Sequence, residues 1–421
     1  MATPRKKQWT VMVYLSGDNN LDSCGVADLG EMKKVGSSDQ VNVIAEFDRR
    51  GTARTTKRFY LRNGTTLAKD AVADLGETNM GDPAVLTSFL DWGFKNYPAH
   101  HYLVVVWNHG NGWNDEDVYR VAKRTLRLTP TRRPARSERD KVSLRRVRVI
   151  SGEHFHRGLF SAGVSQGLRD RGIAYDDNAK DFLDNIEMKK VVTAAAARLG
   201  AKIDILGMDA CLMSMAEVGY QLRDGVALTV GSEQTEPGDG WPYDTILSDL
   251  AKKPTMTPVA LATTIVRRYL ASYTKDAGVT QAACDLGKST AMAEAVDALG
   301  RVLRSGMADP ATKAGMLQAR FQVQSYEDPD YVDLINLCEL IQANCAQAAV
   351  RSACSQVITA VGKGGFVIEA GCKGTEVAHS NGLSIYFPQK KLSTLYGTLD
   401  FVKQTSWGDF LKTFVAAAKP S

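Results

Sequence analysis

The sequence contains no apolar run long enough to cross a bilayer. Its longest, VMVYL at 11–15 and YLVVVW at 102–107, fall far short of the roughly 20 residues a spanning helix needs. Paired cysteines are missing too. Cys24, Cys211, Cys284, Cys338, Cys345, Cys354 and Cys372 are odd in number and lack CxxC spacing, which argues against a structural zinc or thioredoxin-like chemistry and reads most of them as small core hydrophobes. The N-terminus MATPRKKQW carries no apolar segment or small-residue cleavage site before its first strand-like run, so the expectation is a protein that stays in the cell or one whose signal has been removed. GKGG at 362–365 lacks the preceding strand and the Lys-Ser/Thr ending of a phosphate loop. His154 and His156 have no cysteine near them, and a solvated loop explains them better than a metal site.

What is present suits a large folded core. Of 421 residues, 44% are hydrophobic, enough for one large or two ordinary cores. Strand-like runs (WTVMVYLSGD, VNVIAEFD, HYLVVVWNHG, KIDILGMD, VALTVGSE) alternate with amphipathic stretches, the pattern of an α/β fold around a mostly parallel sheet covered on both faces. A hairpin is expected in TKRFYLRNG. From about 254 helices dominate, with TQAACDL, GFVIEA and GLSIYF interleaved as strands.

The net charge is +5, but it is concentrated in one place: residues 117–160 hold 13 Lys+Arg against 4 Asp+Glu. Periodicity collapses over 115–160, which reads as a basic insertion. The chain therefore divides into an N-terminal part of the core (1–114), the insertion (115–160), a second part of the core (161–253) and a helix-rich C-terminal part packed on it (254–421).

In an open parallel sheet, reactive groups collect beyond the carboxyl ends of the strands. One strand ends in His109 and Gly110, another in Asp209 and Cys211. The run after Cys211 is periodic, so the cysteine is expected in the first turn of a helix faced by Leu212, Met215, Ala216, Gly219 and Leu222, where the macrodipole would favour thiolate. Singly, each residue reads as packing; together, at corresponding strand ends, they suggest a cysteine–histidine dyad for acyl transfer. The N–H groups of Gly110 and Cys211 are the candidate oxyanion donors. Residues two apart on a strand face one way, so Asp209 is expected in the same cleft.

WNHGNGW, DACLMSMAEV and GSEQTEPGDGWPYD, with the opening WTVMVYLSGDNNLD, resemble the clostripain family of cysteine peptidases, relatives of caspases, gingipains, legumains and separases. The resemblance implies a caspase-like α/β/α sandwich and a dyad at His109 and Cys211. The caspase pattern Q-A-C-[RQG]-G is absent; caspases separate the pair by about 50 residues, against about a hundred here, and the insertion accounts for the surplus.

The resemblance also implies cleavage after arginine and, less readily, lysine, with acids receiving the guanidinium. Asp209 occupies the matching position. Glu233, Glu236 and Asp239 are candidates for a second acid, and Asp239 is favoured because glycines flank it. An arginine-dense linker between histidine and cysteine is a substrate in cis at high effective concentration. The expectation is a zymogen cut somewhere from Arg120 to Arg148 into two chains that stay associated, acting on protein or peptide substrates. No organic cofactor is needed. Some relatives require calcium, so calcium stays open, although the DED run at 115–117 has no EF-hand spacing. The alternative is a catalytically silent caspase-like scaffold binding partners or nucleic acid through its basic segment; the few aromatics among the arginines weigh against nucleic acid.

Overall fold

The computed structural model describes residues 5–51, 54–113 and 173–418. The basic insertion, the expected cut region, the DED run, His154 and His156 lie outside the described residues.

A nine-stranded sheet forms the centre. Strands β1 (Lys7–Gly17), β2 (Val41–Arg49), β3 (Lys57–Tyr60), β4 (Ala71–Asp74) and β5 (Ala99–Trp107) precede the insertion. After it come a small hairpin of β6 (Ile173–Asp176) and β7 (Asp181–Leu183), then β8 (Ile203–Asp209) and β9 (Val226–Gly231). Next are β10 (Val279–Asp285), β11 (Tyr331–Asp333), β12 (Val367–Lys373) and β13 (Ser384–Tyr386). The sheet runs β12-β10-β9-β8-β5-β1-β2-β3-β4. Its five central strands are parallel, while β10 and β12 on one flank and β3 and β4 on the other pair antiparallel.

Alternation along the strands explains the layers. Met12, Tyr14, Val104, Val106, Leu206 and Met208 point into one core, with Leu86 and Phe89 of helix Pro83–Asn96 and Met188 and Val191 of helix Asn185–Leu199. Val11, Val13, Leu103, Val105 and Ile205 point into the other, with Leu29 and Met32 of helix Asp22–Val35 and Ile265 and Val266 of helix Pro258–Ser272. A strand buried on both faces has no polar side to show, which is why the sequence reads as unbroken apolar runs. The result is the expected caspase-like α/β/α sandwich. Helix starts are locally encoded: Asp184 and Glu187 form a capping box, and Asp82, Thr257 and Asp309 cap helices that begin with proline.

GLSIYF holds a strand as expected, and pairs with β11 in a small sheet of its own. Two local expectations change. In TKRFYLRNG only Lys57–Tyr60 is strand, and it pairs with β2 and β4 instead of folding back on itself. The helix expected at Cys211 starts only at Ala216. Leu212 takes a left-handed φ of 63°, which no helix continues, and the segment is hydrogen-bonded sideways: Leu212 N–H donates to Gln234 O at 3.2 Å, Ser214 N–H to Ser232 O at 2.9 Å.

Candidate active site

Two neighbouring parallel strands deliver the candidate residues. In the β5–β8 register Trp107 stands opposite Asp209, so the chain leaves both strands at one level, with His109 and Cys211 each two residues further. Contact between the tips is direct. A Cβ placed on Gly110 would lie 2.5 Å from the Cys211 carbonyl oxygen and 2.9 Å from Ala210 Cβ, so only glycine lets the segments come this close. Asn108, fully buried, ties the tips together: its N–H donates to Asp209 O at 3.4 Å, its Nδ2 donates to Ser16 O, and its Oδ1 accepts from His109 N–H. The loop beyond His109 is anchored by Tyr331, whose hydroxyl donates to Asn111 O at 2.8 Å.

His109 and Cys211 each expose only 1% of their surface. His109 Nε2 lies 2.8 Å from Asn20 Oδ1; an amide oxygen accepts, so this bond puts the proton of the neutral ring on Nε2. Asn20 follows β1, in a turn where Asn19 Oδ1 accepts from Leu21 N–H at 2.8 Å and Asn19 Nδ2 donates to Ser16 O at 3.0 Å. The sequence reading missed Asn20. Its signal was the polar run SGDNN at a strand end, and its meaning depends on β1 lying beside β5, which local pattern does not give. The Cys211 sulfur accepts from Glu236 N–H at 3.2 Å. Four residues separate it from the helix start at Ala216, beyond the reach of the macrodipole, so that argument for an activated thiol falls away. Gly110 forms an isolated antiparallel bridge with Ile173, the first described residue after the insertion.

Two acids are buried in the segments that flank the sulfur. Asp209 is fully buried and its Oδ2 accepts from the Tyr243 hydroxyl at 2.8 Å. Glu236 is equally buried, with Oε1 accepting from Gln281 Nε2 at 3.3 Å. The Tyr269 hydroxyl is pushed well above its ordinary range, first by burial and then by the charges of Glu236, Tyr273, Asp209 and Cys211. That hydroxyl and Trp241 Nε1 are buried without hydrogen-bond partners among the described residues. Trp241 packs on Gly207 of β8, where a Cβ would meet its ring at 2.7 Å.

The second acids sort by surroundings. Asp239 is exposed, at a turn closed by Gly240 N–H donating to Pro237 O at 3.0 Å; the glycines that favoured it carry it toward solvent. Glu233 is buried but committed elsewhere, accepting from Tyr326 OH at 2.7 Å and Gly382 N–H at 2.8 Å. Burial, then the neighbouring Asp333, push its carboxyl well above the usual range. Glu236 is fully buried and its own N–H donates to the Cys211 sulfur at 3.2 Å. Its loop is shaped from the C-terminal part of the chain, because Thr280 Oγ1 on β10 accepts from Glu233 N–H at 2.9 Å and Gln234 N–H at 3.0 Å.

The comparisons bear on the family and the fold. The sequence matches the profile of the Clostripain family, Peptidase_C11, over residues 13–126 and 159–414. Clostripain of Hathewaya histolytica is 25% identical over 270 residues, which take in 58% of this chain and 42% of that protein; the chain thus matches less than half the length of that relative. Among solved structures, an inactive zymogen C11 protease from Parabacteroides distasonis superposes with a TM-score of 0.64 at 19% identity, covering 96% of this chain and 99% of that one. A secreted C11 cysteine protease from Bacteroides thetaiotaomicron, bound to an irreversible peptide inhibitor, gives 0.60 at 20% identity and the same coverage. At these identities the likeness establishes the fold. With the family profile matched across most of its length, the chain belongs to the clostripain family.

Proposed function

We propose that the protein is a cysteine endopeptidase that cleaves after arginine and, less readily, after lysine, and that it is made as a zymogen which cuts itself within the basic insertion. One observation carries the reading: His109–Gly110 and Cys211 abut at adjacent strand tips, with the carboxylates of Asp209 and Glu236 buried beside the cysteine.

Cys211 gives its proton to the imidazole, and its sulfur attacks the carbonyl carbon of the scissile bond. Asn20 takes Nε2 of His109, so Nδ1 is the nitrogen assigned to this exchange. The negative oxygen that forms is assigned to the N–H groups of Gly110 and Cys211. The imidazolium then protonates the leaving amine, the C–N bond breaks and a thioester remains. Water, deprotonated by His109, attacks the thioester, releasing the acid and the thiol.

Asp209 and Glu236 are assigned to the substrate guanidinium, with Tyr269 OH as a further acceptor; Asp239, in its exposed turn, is at most a rim contact. Two buried carboxylates suit an arriving cation, and a planar guanidinium can use two acceptors at once. The burial of His109 and Cys211 in the uncut chain supports the zymogen reading, since a substrate must reach both. The cut is assigned to the bonds from Arg120 to Arg148, with the two chains held together by the shared sheet.

Matched arginyl, lysyl and alanyl peptide amides test the specificity. The expected order is Arg, then Lys, with Ala negligible, and Asp209→Asn or Glu236→Gln should each lower kcat/KM for arginine by about 100-fold, the cost of losing one partner of a buried charge. An arginine preference that survives both substitutions refutes the pocket.

A further inference from the structure

A thiol that attacks as thiolate needs a group to hold its negative charge, and no helix dipole reaches Cys211. The structure offers another source. Residues 232–236 run beside the segment after Cys211, and three contacts join the two: Ser214 N–H donates to Ser232 O at 2.9 Å, Leu212 N–H to Gln234 O at 3.2 Å, and Glu236 N–H to the Cys211 sulfur at 3.2 Å. The last is a peptide donor at the sulfur, and such a bond strengthens when its acceptor becomes charged.

One side chain sets this loop. Strand β9 pairs antiparallel with β10 as far as Gly231, opposite Ala282; two residues further, the same register would put Glu233 opposite Thr280. The ladder stops first, and the Thr280 hydroxyl takes the place of a strand acceptor. Its Oγ1, buried on β10, accepts from Glu233 N–H at 2.9 Å and from Gln234 N–H at 3.0 Å. With both lone pairs used, its hydrogen goes to Ser232 Oγ at 2.8 Å. The full bonding capacity of one hydroxyl is therefore spent on residues 232–234. Thr280 itself stands opposite Cys372 of β12, which fixes it from the other side.

We propose that Thr280 is a positioning residue for the nucleophile: its hydroxyl fixes the turn at 232–234, and the turn holds Glu236 N–H against the Cys211 sulfur, where that N–H stabilises the thiolate. The inference rests on the reading of Cys211 as the nucleophile. The titratable groups around the sulfur are Asp209 on β8, His109 at the neighbouring strand tip, Glu236 in the loop and Tyr269 of helix Pro258–Ser272. The Glu236 carboxylate is held separately, its Oε1 accepting from Gln281 Nε2 at 3.3 Å. Losing the Thr280 oxygen leaves two buried N–H groups without that acceptor, so the turn shifts and the peptide donor loosens while the acid stays. The thiol then ionises less readily.

The test follows the NMR shift of cysteine Cβ against pH in the full, isotope-labelled chain, with the Cys211 signal identified by its loss in Cys211→Ala. Thr280→Val keeps the shape of the side chain and removes the oxygen. Its Cys211 midpoint should lie about one pH unit above wild type, the loss of most of one hydrogen bond to a charged group, with kcat for an arginyl amide lowered about tenfold and KM within about twofold. Thr280→Ser restores the oxygen and should return both midpoint and kcat close to wild type. Ser232→Ala removes the partner that orients the Thr280 hydroxyl and should shift the midpoint the same way by less. A midpoint unmoved by Thr280→Val, or a shift that Thr280→Ser does not reverse, overturns the positioning role; if Thr280→Val does not fold, an unmoved midpoint in Ser232→Ala overturns it. A wild-type chain inactive on every peptide amide, whose midpoint still rises in Thr280→Val, leaves the contact standing and refutes the peptidase reading.

Discussion

Replacing Asn20 by alanine removes the oxygen that faces His109 Nε2, and misplacing an imidazole by about 1 Å can cost up to ~100-fold in rate. The expected effect is a fall in kcat with KM little changed, because Asn20 holds the base and not the substrate. Asn20→Asp keeps an acceptor and adds a negative charge, which favours imidazolium; it should recover much of the rate while moving the acid limb of the pH profile upward. A loss confined to KM, or no shift with aspartate, contradicts the positioning role. At this scale the sequence was only partly legible. His109 and Cys211 stand out because each ends an apolar strand. Asn20 and Glu236 do not, because what gives each of them a place is a neighbour brought in by the sheet: β5 beside β1, and Thr280 of β10 fixing the loop before Glu236.

The two strand tips work as one unit through a single close approach, that of Gly110 to Cys211. Gly110→Ala puts a methyl group against backbone that cannot swing aside. The tips should part by a few tenths of an ångström at a cost of about 1–3 kcal/mol, visible as a lower melting temperature together with a reduced kcat. An alanine variant with both unchanged contradicts the contact. Strands were the most legible elements, since runs such as YLVVVW bury both faces. The helix after Cys211 was misread because apolar spacing over LMSMAEVGYQL fits a helix from its first residue, while the hydrogen bonds of Leu212 and Ser214 to the 232–234 loop hold that stretch out of a helix until Ala216.

Across the whole molecule, burial of acids makes stability depend on pH. Glu217 is fully buried, accepting at Oε1 from Tyr396 OH at 2.6 Å and Tyr386 N–H at 3.0 Å. Burial raises its carboxyl to about 7, against the lowering effect of those two hydrogen bonds. Between the unfolded value near 4.5 and the folded value near 7 the native state holds a proton that the unfolded chain has lost. This contribution is therefore complete below about pH 4.5 and is lost as the pH rises through 7. Glu217→Gln, always neutral, should lack that loss, so wild type should decline relative to the variant between about pH 5 and pH 8, by something of the order of 3 kcal/mol. Parallel melting curves without a pH-dependent gap contradict it. Globally, the two-sided sheet could be read from its Val-rich strands. The buried seat of Glu217 could not, because its partners Tyr386 and Tyr396 stand far along the chain and only the fold brings them to it.

Intact-mass spectrometry of wild type, His109→Ala and Cys211→Ala, expressed and incubated in parallel, tests the central claim that these two residues meet as a dyad. Wild type should give two fragments that together equal the full chain plus one water, with the break between Arg120 and Arg148, and both variants a single uncut chain. A wild-type chain that stays whole and leaves an arginyl amide unhydrolysed, or variants cut as readily as wild type, would contradict it.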